Sequence, residues 1–336
     1  MDLPLPAPEG IPGHPFVFLV LNLFTFLLHL IAMNILLGGT VVLLLDRKIS
    51  QKKVALEIGK VLPIAFAFTI NMGVAPLLFL QVLYGHLFYT SSILMAWYWI
   101  SLIVILIGAY YSLYAFASSL KKIFLFITCM SVLFTAFMFV NNMTMMIQPT
   151  LFTQYFKNTF GTLLNLKDPT LLPRYLHMIT GAISLSYLFL AVFAKFKNYE
   201  IEYMSVCLKR FLVVSLFQIL WGVALILTLP SYIAINLLTE FHYASFLILG
   251  VLCAFLAMIY AHKERLWNTS IFAFLTLVFM VITRHNVRTL YLDPYFDVSK
   301  LKVFHQTFNL FLFLGIFVVG LIIVGYLLKI SFKKRI

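Results

Sequence analysis

The sequence predicts an all-α membrane protein: a nine-helix transmembrane bundle with its N-terminus outside and its C-terminus in the cytoplasm. Three observations predict it. Hydrophobic residues make up 63% of the 336-residue chain and charged residues only 10%, a composition that excludes a soluble globular domain. The apolar residues fall into nine runs without the alternation of a strand. Each run is long enough for the roughly 20 residues a helix needs to cross hydrocarbon, where every backbone amide must find an internal partner. The basic residues, finally, are distributed unequally between the two sets of connections.

The first run, 15–45, follows a Pro-rich start (Pro4, Pro6, Pro8, Pro12, Pro15) with no basic residue before it and no small-residue cleavage site. It reads as a retained helix, not a signal peptide. Runs at 61–89, 93–120 and 122–147 follow, the third carrying Trp97-Tyr98-Trp99 and the fourth ending on Met143, Met145 and Met146, read as packing residues. The connection 148–173 holds Gln148-Pro149, Gly161, Asp168-Pro169 and Pro173 but keeps Phe152, Tyr155, Phe156 and Phe160. It is expected to lie at the interface as a short amphipathic piece. The remaining runs are 174–195, 209–230, 241–261, 266–290 and 305–329, with only a short link at 231–240. No soluble linker, internal repeat or low-complexity segment interrupts them, so residues 1–336 read as one polytopic domain.

With the N-terminus outside, the inner connections hold Arg47, Lys48, Lys52, Lys53, Lys60, Lys121, Lys122, Lys195, Lys197, Lys209, Arg210, Lys263, Arg265, Lys329, Lys333, Lys334 and Arg335. The outer side holds Lys157, Lys167, Arg174, Arg284, Arg288, Lys300 and Lys302. Seventeen against seven is a positive-inside pattern. The net charge of +13 therefore sets orientation and meets anionic lipid; no nucleic-acid partner is expected. The three cysteines (Cys129, Cys207, Cys253) are scattered and form no CxxC, which excludes zinc, disulfide and covalent haem readings.

Seven of the eight histidines, all but His262, fall toward the outer side. His177 lies one turn into its helix, one turn after Arg174; His285 sits between Arg284 and Arg288; His29 lies near the middle of the first run. Neutral imidazole is the commonest metal ligand, and haem iron accepts one on each face. Arginine near a helix end pairs with the anionic propionates of haem, and an intramembrane arginine needs such a partner. His86, His242 and His305 stand at helix mouths, and His14 and His262 in flanking loops, where polar residues need no function. The arrangement points to haem held by His29, His177 and His285, with Arg174, Arg284 and Arg288 on its carboxylates.

Four segments, in order, resemble subunit I of the cytochrome bd oxidase family. Ile64 to Gly85, reading IAFAFTINMGVAPLLFLQVLYG, is similar to that family's second helix, and Leu133 to Pro149, LFTAFMFVNNMTMMIQP, to its fourth. Tyr175 to Gly181, YLHMITG, resembles the segment carrying the low-spin haem histidine, and Phe26 to Gly38 the first helix, whose histidine ligates an active-site haem. The match covers the first 200 residues best. It implies His29 on a high-spin haem, His177 on the low-spin haem, and, with Arg288 set on the family's propionate-binding arginine, His285 in place of the glutamate ligand three residues before it; Arg284 is the competing match for that arginine. It also implies two or three haems, of type b and with room for type d.

The departures narrow the expectation. Ser92 and Ile100 stand where the family's third helix has two proton-delivering glutamates. No methionine stands at 247–249 to complete the low-spin haem, for which His242 is the substitute on offer. The link 231–240 is too short for the family's quinol-oxidising loop. The resemblance thus implies a divergent respiratory oxidoreductase subunit in a bacterial cytoplasmic membrane, working with a second membrane subunit. It would pass electrons from an outer-face c-type cytochrome, or quinol, to dioxygen or another small acceptor. A non-catalytic relay of six-coordinate haems and a haem-free scaffold or transporter remain the alternatives. The near absence of mid-membrane acids argues against a proton-coupled transporter.

Overall fold

The computed structural model describes residues 5–304 and 307–333. Among them ten α-helices follow one another: α1 (Pro15–Leu45), α2 (Lys52–Leu94), α3 (Ala96–Ser119), α4 (Lys122–Met146), α5 (Leu171–Phe196), α6 (Ile201–Thr228), α7 (Ser231–Thr239), α8 (Phe241–His262), α9 (Leu266–Leu292) and α10 (Thr307–Lys333). Two 3-10 helices, Pro149–Phe156 and Val298–Lys300, complete the helical elements. The described residues hold no strand, only an isolated bridge between Ile11 and Val303. Eight helices, all but α7 and α10, are long and apolar enough to cross a membrane, and α10 carries the apolar run Phe311–Ile323.

Most helix ends fall within a few residues of the apolar runs; α2 does not. It starts nine residues before its run because Lys52, Lys53, Glu57 and Lys60 are polar yet good helix formers, and Val54, Ile58 and Leu62 between them are buried on one face. At about 1.5 Å per residue its 43 residues would extend about 64 Å, roughly twice a hydrocarbon core. It contains Pro63 and Pro76 and leaves helical geometry at Tyr84 (φ −132°, ψ 25°). Helix α6 likewise starts ahead of its run, for the same reason: Glu202, Lys209 and Arg210 lie on a helix whose other face buries Cys207, Leu208 and Phe211.

The link 231–240 is itself a helix. Pro230 precedes it, and Ile233 and Leu237, one turn apart, are its buried face. It leaves no room for a long loop. The 148–173 connection begins as the Pro149–Phe156 helix, burying Phe152 while Phe156 and Phe160 stay exposed.

Helix α1 packs against α2, α4, α5 and α9, placing it at the centre of the bundle. Its close approach to α5 depends on Gly38: a Cβ there would collide with the Ala182 carbonyl oxygen and stand 2.5 Å from Ser186 Oγ. At the end where α1 finishes, Asp46 joins three helices. Its Oδ2 accepts from Tyr187 Oη (3.0 Å) and pairs with Arg210 Nε (3.1 Å), while Oδ1 accepts from the Lys48 and Ile49 amides. At the opposite end the 148–173 connection is tied down by buried polar groups. Asn165 N donates to Asn141 Oδ1 (3.1 Å), Gln148 Nε2 to Asp168 Oδ2 (2.8 Å) and Leu163 N to Leu94 O (2.9 Å).

Candidate haem site

His29, on α1, is aimed at α2. Its Nδ1 lies 2.9 Å from the Thr69 carbonyl oxygen. A carbonyl only accepts, so Nδ1 carries the proton and Nε2 is left as a bare acceptor. Room for the ring comes from Gly73, one turn beyond Thr69: a Cβ there would stand 2.8 Å from the His29 Nδ1. Phe26, one turn earlier on α1, stacks near the imidazole (centroids 6.2 Å, 29° between planes). The Arg284 guanidinium of α9 covers the other ring, 4.5 Å from the Phe26 centroid.

His177, on α5, is held by α6 in the same way. Its Nδ1 lies 2.9 Å from the Gln218 carbonyl oxygen. Gly222, one turn on, makes the room, since a Cβ there would come 3.2 Å from the ring's Cε1. Again Nδ1 is the donor and Nε2 the free acceptor. Neither Nε2 has a hydrogen-bond partner among the described residues. Buried imidazoles of metal sites are commonly oriented this way, the distal N–H on a carbonyl fixing tautomer and ring direction.

His285 differs. It lies on α9, and its Nδ1 is buried without a hydrogen-bond partner, as is the neighbouring Asn286 Nδ2. Arg284 and Arg288 stand within Coulomb range of it, and Arg174 within range of both of them. Arg288 is 7% exposed, with its guanidinium 5.3 Å from the ring centroid of Tyr84, whose side chain is fully buried where α2 breaks. Arg174 reaches Thr170 Oγ1 through Nη2 (3.4 Å) and keeps a buried Nε without a partner. Arg174 and Arg288 both lie within Coulomb range of Arg284. The ion pairs among the described residues are Lys197–Glu57, Lys209–Glu264, Arg210–Asp46 and Lys300–Asp297; none contains these three arginines. Asp168 is near Arg174, but its oxygens are engaged by Gln148 Nε2 and the Thr170 amide.

Three guanidinium groups within Coulomb range of one another, with no ion pair among the described residues, are costly in a low-dielectric interior and call for an anionic partner. The donor set fits haem: two imidazoles with free Nε2 atoms, and a guanidinium group, that of Arg284, within Coulomb range of His29 and outside every ion pair among the described residues. Among the described residues no three His, Cys, Asp or Glu side chains gather as a metal cluster.

The structure thus brings together His29 from the middle of α1, Arg174 from the first turn of α5 and Arg284, His285 and Arg288 from the last turns of α9, with His177 one turn after Arg174. It does not bring in His242, which is exposed at the first turn of α8 with its ring against Tyr243 (3.8 Å). The thioether near 247–249 comes instead from α9: Met280 lies against Gly250, where a Cβ would stand 2.7 Å from its Cε. Ser92 belongs to the last turn of α2, not to the third helix, and accepts from Asn142 Nδ2 (3.4 Å). Ile100 of α3 is 57% exposed, on the outer surface of the bundle. His14 caps α1 by accepting from the Phe16 amide, His86 lies edge-on to Phe296, and His305 is outside the described residues. Thr69, Gly73, Gln218 and Gly222 were not anticipated; a glycine at matching distance beyond each histidine was the available signal. Comparison with known protein families, curated proteins and solved structures finds no match to this chain.

Proposed function

We propose that this protein is the haem-binding membrane subunit of a bd-oxidase-like respiratory oxidoreductase, a divergent member without the quinol loop. It sits in a bacterial cytoplasmic membrane as nine crossings, N-terminus outside. The observation that carries the reading is the combination of two imidazoles presenting unpaired Nε2 atoms with three arginines, Arg288 buried and Arg174 and Arg284 half-buried, that form no ion pair among the described residues. His177 holds the haem that receives electrons, and His29 and His285 hold the others, of type b with d as the alternative type. Haem bound there would supply one-electron chemistry and a place for dioxygen or another small acceptor. The chain's part is to fix the His29 and His177 imidazoles by their Nδ1–H, to hold the haem carboxylates with Arg174, Arg284 and Arg288, and to keep water out with Tyr84 and Phe26. The donor is a c-type cytochrome or quinol at the outer face, and a second membrane subunit completes the complex.

Reduced-minus-oxidised spectra of the purified protein, with and without carbon monoxide, test this reading. Haem bands with a carbon monoxide shift support it. Bands without a shift replace the oxidase with an electron relay, and a folded protein that takes up no haem overturns it in favour of a scaffold or transporter.

A further inference from the structure

The sequence shows no repeat, but the backbone does. Helices α1, α2, α3 and α4 begin at Pro15, Lys52, Ala96 and Lys122; α5, α6, α8 and α9 begin at Leu171, Ile201, Phe241 and Leu266, in the same order and at similar spacing. The break in α2 at Tyr84 has its counterpart in the separation of α6 from α7. The shift that carries His29 to His177 also carries Asn34 to Ala182 and Gly38 to Ser186. Within one residue it carries Thr69 to Gln218 and Gly73 to Gly222.

The contact between α1 and α5 obeys the same relation. Ser186 Oγ donates to the Asn34 carbonyl (2.7 Å), and Gly38 lies against the Ala182 carbonyl. Under the shift each pair is the image of the other. That is the rule of a two-fold interface, in which residue i meets j and j meets i. The two imidazole hydrogen bonds span 40 and 41 residues.

We infer that the chain contains two copies of one four-helix unit, and that His29 and His177 are the same ligand position in each. Each offers one Nε2 atom to the iron of a porphyrin, with Thr69–Gly73 and Gln218–Gly222 as positioning residues. The ligand class rests on the haem reading above; the equivalence of the two positions does not. A packing histidine needs its ring satisfied, whereas here the backbone of the second helix is opened by a glycine to take Nδ1–H and the other nitrogen is left bare, twice. His285 is not part of this design. The shift that aligns the starts of α4 and α9 sets it on Asn141, Arg284 on Val140 and Arg288 on Thr144, while Asn286 meets Asn142. The basic cluster therefore exists in the second copy alone, and one common imidazole site is served by two different surroundings.

The test uses the full-length protein in bilayers with ¹⁵N-labelled histidine. Solid-state NMR before haem is added should show two imidazoles with protonated Nδ1 and bare Nε2, assigned because His29→Gln and His177→Gln each remove one. Titration with iron protoporphyrin IX should then move both signals and load one equivalent at each. Gly73→Ala should abolish the response at His29, because the methyl falls on the ring nitrogen. Gly222→Ala, with a looser contact, should weaken that at His177 several-fold. An Nε2-protonated ring at either position, or loading at one position only, overturns the equivalence. Two correct tautomers with no haem uptake overturn the ligand class and the functional reading, and support the duplicated positioning device.

Discussion

Arg284 shows how a single side chain can act with opposite sign in two states. It lies over Phe26, within Coulomb range of His29, Arg174 and Arg288 and outside every ion pair among the described residues. Without an anionic ligand the three guanidiniums repel and each carries an unrepaid desolvation cost, which for a buried unpaired charge amounts to several kcal/mol. Arg284→Met keeps the length and packing of the stem and removes the charge. It should stabilise the cofactor-free protein by about 1–3 kcal/mol, and it should loosen haem by about tenfold or more, since a charge-assisted hydrogen bond is lost. Thermal unfolding with and without haem checks both signs; an unchanged or lower stability of the cofactor-free variant refutes the uncompensated cluster. The histidines divide by spectrum rather than by stability. His177→Ala should remove the low-spin signal and keep the carbon monoxide response, and His29→Ala should do the reverse. Loss of both signals in either folded variant contradicts the assigned roles. These side chains could be found in the sequence because a histidine or an arginine in a run of Leu, Ile and Phe is conspicuous. Their supports could not, because a backbone carbonyl and a glycine leave no chemical mark of their own.

Helix packing puts the most exact demand on α1 and α5. In a bilayer there is little hydrophobic drive between helices, so close backbone approach and interhelical hydrogen bonds hold them. Gly38 and Ser186 provide both. A methyl at Gly38 must push α5 away, an overpacking change that costs about 1–3 kcal/mol. At Gly108 of α3 nothing lies within 4 Å of the added Cβ, so Gly108→Ala should gain up to about 1 kcal/mol of helix propensity. Unfolding midpoints in detergent should therefore move down for Gly38→Ala and stay level or rise for Gly108→Ala. A Gly38 variant as stable as the parent would mean that α1 and α5 do not meet there. Apolar runs located the interiors of the long helices well, because length and hydropathy are what a membrane demands. They missed the first turns of α2 and α6, where charged residues continue the helix beyond the hydrocarbon, and they missed α7, whose nine residues have only Ile233 and Leu237 as a buried pair. The duplication was hidden for a related reason. Lipid and helix contacts accept any apolar residue of suitable size, so the copies have kept spacing, one histidine and one glycine each, and little else in common.

The distribution of charge makes a claim about the bundle that its internal packing does not. At the end where α1 finishes, Asp46–Arg210, Glu57–Lys197 and Lys209–Glu264 join α1, α2, α5, α6 and the α8–α9 turn, and most of the chain's lysines and arginines are there. Glu57–Lys197 and Lys209–Glu264 are exposed enough to contribute only about 0–1 kcal/mol each, and of the three only Asp46–Arg210 has a buried partner, so the basic residues are in excess of what stability needs. Their excess is what the positive-inside rule uses, and under the proposed orientation this end faces the cytoplasm and the proposed haem site lies near the other face. The prediction can be read with reporters. A phosphatase that folds only outside should be active when inserted at Asn158, in the 148–173 connection, and inactive when fused after Ile336; a fluorescent protein that matures in the cytoplasm should give the opposite result. Converting Lys52, Lys53 and Lys60 to glutamine should lower the fidelity of insertion, because these charges lie within the short first inner connection, where the rule is strongest. Phosphatase activity at the C-terminus would remove one crossing or invert the chain, and inversion would carry His177 to the cytoplasmic side, where an outer-face electron donor has no access to it.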